Sequence, residues 1–115
     1  MITELTRMWL TRSTKPFLFK NEYDQELPFS DCDGLGLYVH IPFCRSICSF
    51  CPYCKTLYTE EACSQYIDAL IREIHLAGSQ APGKKTVTSL YFGGGTPALA
   101  ADRIKEIIDA IQEHF

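Results

Sequence analysis

The chain has no apolar run approaching the roughly 20 residues that a membrane-spanning helix requires, so a membrane partner is not expected. Its opening stretch, MITELTRMWLTRSTK, also lacks the uninterrupted apolar core of a secretory signal, because Glu4, Arg7, Thr11 and Arg12 break it. The expectation is a cytoplasmic protein. Basic excess is missing too: 11 Lys and Arg stand against 14 Asp and Glu, and a net charge of −3 gives none of the basic face that nucleic-acid binders carry. No nucleic-acid partner is expected. No Gly-Lys-Ser/Thr follows the chain's glycine-rich turn, which excludes a phosphate P-loop, and no internal sequence repeat occurs.

What the chain does have is cysteine. Six in 115 residues read as a disulfide framework in a secreted protein, but in a cytoplasmic one clustered cysteines read as metal or redox ligands. The length fits one domain, and 46% hydrophobic with 22% charged residues is ordinary for a globular protein.

Residues 1–33 show no sustained periodicity, only apolar patches at Met8-Trp9-Leu10 and Phe17-Leu18-Phe19 and a turn-prone run from Leu27 to Asp31. They read as an extension. From Leu35 the pattern changes: Leu35, Leu37, Val39 and Ile41 alternate with Gly36, Tyr38 and His40, the period of a strand, and Pro42 is expected to end it. Tyr38 and His40 share the face opposite the aliphatic residues, either as polar-tipped core residues or as parts of a site. Pro42 to Tyr58 holds four cysteines and no regular period, and a loop of that length is uncommon unless functional.

Thr59 is placed to cap a helix whose first turn carries Glu60 and Glu61, favourable at the positive end of the helix dipole. Cys63, Ile67, Leu70, Ile74 and Ala77 form its apolar stripe, and Gly78 is expected to stop it. His75 reads as solvent-facing, as does His114 further on. A second strand is expected over Thr86 to Phe92, broken by Gly93-Gly94-Gly95-Thr96-Pro97. Ile104, Ile107, Ile108, Ile111 and Phe115 then mark a second helix from near Ala101 or Asp102, with a weak N-cap because alanine offers no side-chain acceptor. Strand, loop, helix, strand, turn, helix is the order of a parallel α/β sheet. Two parallel strands are not self-sufficient, and the last helix reaches the final residue without a cap, so the chain reads as the front part of a larger protein.

Cys44-Arg45-Ser46-Ile47-Cys48-Ser49-Phe50-Cys51 puts three thiols directly after a strand end, where open α/β sheets and barrels place their chemistry. A cubane iron-sulfur cluster normally takes four cysteine ligands; with three, one iron keeps open positions for a substrate or cofactor. Structural zinc usually pairs two separated cysteine units, and the bacterial ferredoxin run ends in Cys-Pro, whereas Cys54 is followed by Lys55. Inert burial suits Cys32 and Cys63 but not the crowded loop. Gly93, Gly95 and Ala98 formally satisfy a permissive dinucleotide fingerprint, with Glu113 near the acidic position, but Pro97 opposes it and the fingerprint belongs after a first strand.

Cys44, Cys48 and Cys51, with Phe50 before the last, resemble the signature of radical S-adenosylmethionine (SAM) enzymes. Tyr38-Val39-His40-Ile41-Pro42-Phe43-Cys44 resembles the branch holding oxygen-independent coproporphyrinogen III oxidases and related haem chaperones. The resemblance runs from Leu35 to Phe115. It implies the first two β/α units of a partial TIM-like barrel, with residues 34–115 forming the N-terminal part of a radical SAM core domain behind an extension of residues 1–33. It implies a 4Fe-4S cluster on Cys44, Cys48 and Cys51, and SAM against Tyr38, Phe50, Gly94, Gly95 and Thr96. It further implies reductive cleavage of SAM to a 5'-deoxyadenosyl radical, decarboxylation of a porphyrinogen propionate to a vinyl group, and an electron donor such as flavodoxin or ferredoxin. Two alternatives stay open: a haem-binding chaperone without decarboxylase activity, and an electron-transfer module using all four loop cysteines. Cys54 departs from the branch, whose further cysteine commonly lies closer to the third ligand.

Overall fold

A computed structural model describes residues 2–12, 14–15, 27, 29, 31–81 and 83–115. The Phe17-Leu18-Phe19 patch lies outside them. Two parallel strands, β1 (Gly34–Ile41) and β4 (Thr86–Gly94), pair from Gly34 with Thr86 to Ile41 with Gly94, with one irregularity between Leu35 and Gly36. Between them come two short strands, β2 (Phe43–Cys44) and β3 (Thr56–Leu57), also parallel, and helix α2 (Glu60–Gln80). A 3-10 turn, Pro97–Arg103, and helix α3 (Ile104–His114) follow β4. A short helix, α1 (Ile2–Thr11), occupies part of the stretch in which the sequence shows no periodicity. Leu5, Met8, Trp9 and Leu10 on it are exposed.

The alternation in β1 sorts its side chains as read. Leu35, Val39 and Ile41 are buried, and the face carrying Tyr38 is open, with Tyr38 56% and Tyr91 of β4 67% exposed. The aliphatic face packs on α2 and α3 in one core of Val39, Ile41, Phe43, Cys63, Ile67, Ala100, Ile107 and Ile111. Ile41, Ile67 and Ile107 are fully buried, each contributing roughly 1.5–3 kcal/mol relative to exposure. Burial raises the Cys63 thiol pKa above its ordinary value, with smaller effects from Asp102, which raises it, and Arg103, which lowers it. Cys32, by contrast, is exposed, so inert burial does not describe it.

Thr59 caps α2 as its position predicts, its hydroxyl accepting from the Ala62 N–H at 3.1 Å. The far end differs from expectation. Gly78 does not stop α2, which continues to Gln80 and ends at Ala81, whose N–H bonds to the Gly78 carbonyl. A Cβ at Gly78 would run into the His114 ring, so this glycine marks a close approach of α3, not a stop. β4 likewise continues through Gly93 and Gly94, since both still pair with β1. Pro42 interrupts β1 for one residue, after which β2 resumes the extended chain.

The start of α3 is also corrected. Residues 97–103 take the tighter 3-10 form, Ala100 leaves helical dihedrals, and the α-helix begins at Ile104. No side chain caps it; instead Arg103 bonds Glu106 of the first turn at 2.6 Å and Asp68 of α2 at 2.8 Å, riveting the two helices. Those two hydrogen bonds hold the Arg103 pKa above its ordinary range, and the Arg103 contact lowers that of Glu106.

Candidate functional site

The carboxyl ends of β1 and β4 meet two segments rich in chemistry, the cysteine loop and the glycine turn. Between them runs the extended segment from Ile41 to Cys44, whose carbonyls alternate in direction as in any strand. Ile41 and Phe43 accept from the N–H groups of Gly95 and Thr96, both at 2.7 Å, on one side. Pro42 and Cys44 accept from Thr56 at 2.8 Å and Tyr58 at 2.9 Å on the other. The first cysteine is therefore held between the glycine turn and the returning arm of its own loop.

Glycine is required in this turn for two separate reasons. Gly94 has a φ of 107°, a conformation L side chains rarely adopt. Gly95 lies so close to β2 that a Cβ there would sit 2.5 Å from the Phe43 carbonyl oxygen and 2.8 Å from Cys44 Sγ. The turn thus brings bare backbone against the first thiol.

Cys44, Cys48, Phe50 and Cys51 line a single cleft of about 560 Å³ with Gly94, Gly95 and Thr96, within the range of small-molecule sites. Seven of the eight site residues named from the sequence are thereby brought together, and Tyr38, outside that lining, lies against the glycine turn, where a Cβ at Gly93 would be 2.7 Å from its ring. Phe50 is 86% exposed, presenting an aromatic face without a partner from the core. All six cysteines are free thiols. Among the described residues, no three cysteine Sγ atoms lie within 4.8 Å of one another. A single tetrahedral zinc, with bonds of about 2.3 Å, would hold its thiolates roughly 3.8 Å apart.

Tyr38 stacks on Tyr91 with ring centroids 5.7 Å apart and its hydroxyl 3.1 Å from His40 Nδ1. His40 Nε2 is 3.1 Å from the Cys54 carbonyl, and the Tyr66 hydroxyl donates to the His40 carbonyl at 2.7 Å. Burial, then the charges of Glu73, Cys54 and Tyr38, raise the Tyr66 pKa and keep it a donor. The Lys55 ammonium donates to the Cys51 carbonyl. These supports, His40, Tyr66 and Lys55, were not among the residues the sequence singled out as a site. His40 alone carried a signal, its place beside Tyr38 on the open face. Also unforeseen is the pairing of His75 with His114, half-buried and 2.7 Å apart rather than each facing solvent.

No protein-family model matches the chain. Over 79 residues, 67% of the chain, it is 44% identical to the anaerobilin synthase of Escherichia coli O157:H7. It is 40% identical over 84 residues to the oxygen-independent coproporphyrinogen III oxidase of Helicobacter pylori strain J99, and 38% over 79 to the heme chaperone HemW of Lactococcus lactis. The chain spans 18%, 18% and 20% of the lengths of these relatives. Among solved structures, coproporphyrinogen III oxidase (HemN) from Escherichia coli, described as a radical SAM enzyme, superposes with a TM-score of 0.64 at 38% identity, over 72% of this chain and 19% of that one. The strand-helix units around the cysteine cleft are therefore homologous to a segment of the radical SAM coproporphyrinogen III oxidase and heme chaperone family, and the chain has that part of its fold.

Proposed function

We propose that this chain forms the cluster- and SAM-binding part of a radical SAM oxidoreductase of the oxygen-independent coproporphyrinogen III oxidase type, acting on a porphyrinogen in haem biosynthesis. Residues 34–115 make up that part and residues 1–33 an extension to it. The single observation that carries the reading is the cleft in which Cys44, Cys48 and Cys51 face Gly94, Gly95 and Thr96.

The donor set fits a 4Fe-4S cluster. Three free thiols line one cleft, and the bare backbone of Gly95 leaves room beside Cys44. When bound, the cluster and SAM supply the one-electron chemistry that yields a 5'-deoxyadenosyl radical, and the protein supplies binding and orientation. Cys44, Cys48 and Cys51 would hold the cluster through three thiolates, one fewer than the usual four. Gly94, Gly95 and Thr96 present unobstructed backbone to the methionine end of SAM, and Phe50 offers a flat surface to its adenosyl end. Tyr38 adds a SAM contact from the open face of β1, held by Tyr91 and His40.

Among the described residues no helix is long and apolar enough to cross a membrane. We place the protein in the cytoplasm, where a flavodoxin- or ferredoxin-type donor would reduce the cluster. The substrate assignment rests on the coproporphyrinogen III oxidases among the relatives. Their matched segment is a minor share of their length, so no substrate contact is assigned to this chain.

Anaerobic reconstitution with iron and sulfide tests the reading. The expected result is a 4Fe-4S spectrum that changes on adding SAM, is abolished by Cys48→Ala and survives Cys54→Ala. Loss of the cluster in Cys54→Ala favours the four-cysteine electron-transfer alternative. Zinc in place of iron, with no iron uptake, overturns the proposal.

A further inference from the structure

The last turns of α2 and α3 lie at the end of the fold away from the cysteine cleft, because each helix runs back from the carboxyl ends of the strands toward their amino ends. Lys84, just before β4, accordingly donates to the Gln112 carbonyl near the end of α3. Among the described residues, one trio of ligand-type side chains brings its donor atoms within 4.8 Å of one another, and it is here: His75 of α2 with Glu113 and His114 of α3. His75 Nδ1 is 2.7 Å from His114 Nε2 and 3.9 Å from Glu113 Oε2, and the two imidazole planes stand at 82°.

Gly78 creates this meeting. It lies three residues after His75, hence on the same face of α2. A Cβ at Gly78 would lie against the His114 ring, 2.8 Å from Nδ1. A glycine inside a helix costs about 1 kcal/mol relative to alanine, and what it provides here is the space through which His114 reaches His75.

Two neutral imidazoles can face each other this closely only with a proton or a cation between their nitrogens. Two imidazoles and one carboxylate are the donor set of known three-ligand zinc sites that keep a fourth position open. Bonds of about 2.0–2.1 Å in tetrahedral geometry separate ligand atoms by roughly 3.3 Å, between the two distances seen here. Hard cations such as calcium or magnesium demand more oxygen ligands than this trio offers. Glu113 is 64% exposed at its side chain, so an ion has a route in from solvent.

We propose that His75, Glu113 and His114 form a binding site for a divalent transition-metal ion, zinc foremost, which clamps the end of α3 to α2. On binding, each imidazole carries its proton on the other nitrogen, His75 on Nε2 and His114 on Nδ1, so no proton need leave either neutral ring. The site is independent of the radical SAM reading and uses none of its residues.

Zinc titration of the unmodified full chain, followed by imidazole ¹⁵N shifts, separates this site from the thiols. The expected result is perturbation of His75 Nδ1 and His114 Nε2, and loss of that response in both His75→Gln and His114→Gln. Cobalt supplies a second measurement. Its visible d–d bands should include a species without thiolate charge transfer, bound about tenfold or more weakly once either histidine is replaced. No imidazole response at millimolar zinc overturns the proposal, as does a response unchanged in either variant.

Discussion

His40 Nε2 lies 3.1 Å from the carbonyl oxygen of Cys54, linking the last aromatic position of β1 to the fourth cysteine of the loop. A carbonyl only accepts, so Nε2 carries the proton and Nδ1 accepts from the Tyr38 hydroxyl at 3.1 Å. One imidazole thus joins the open face of the sheet to the returning arm of the cysteine loop.

Because the acceptor is backbone, the contact does not depend on what side chain residue 54 carries. His40→Phe should lower the iron bound after reconstitution severalfold, whereas Cys54→Ala should not. Iron and sulfide analysis of the two variants, with circular dichroism to establish equal folding, checks this.

Gly95→Ala places a methyl between the Phe43 carbonyl and Cys44 Sγ. The turn must shift by several tenths of an ångström, at a cost of about 1–3 kcal/mol, and the first thiol moves with it. Near-complete loss of cluster assembly with a retained helical spectrum is expected. Denaturant unfolding measures the stability part and iron content the other.

Ile67 is fully buried where α2 meets the sheet and α3. Ile67→Ala should destabilise the fold by about 2–5 kcal/mol, the cost of lost burial plus a cavity. Urea midpoints at constant slope would measure it.

The contact with Arg103 lowers the Glu106 pKa, so its contribution is present above the ordinary carboxylate value and is lost as pH falls through the lowered one. Glu106 is solvent-exposed, so the effect is small. Glu106→Gln should lower stability slightly at neutral pH and converge with the parent at acid pH, which flattens the acid limb of the stability–pH curve. Thermal melts from neutral to acid pH, compared with the parent, read the difference.

The strands and helices were legible where a period or a cap was strong. Val39 and Ile41 went inward on the two-residue repeat, and Thr59 with its two glutamates announced α2. The cysteine spacing was equally plain, since no packing rule calls for three thiols in eight positions after a strand. Glycine was the ambiguous letter. Gly78 reads as a helix stop from local rules, but its reason sits on another helix, and no window of sequence contains both Gly78 and His114. The His40 contact with Cys54 was hidden in the same way, because its acceptor is a main-chain oxygen and leaves no residue preference behind. The tight turn at Pro97–Arg103 was missed because alanines are compatible with either helical form, and Arg103 substitutes an ion pair for the absent cap.

The alternating carbonyls from Ile41 to Cys44 make one extended segment the common support of two others. Gly95 and Thr96 hang from Ile41 and Phe43 on one edge, and Thr56 and Tyr58 from Pro42 and Cys44 on the other, so a displacement of the shared segment unloads both neighbours at once. In hydrogen-exchange terms, an opening of that segment is expected to expose all four amides together. The cysteine loop and the glycine turn, far apart along the chain, are then protected or released together.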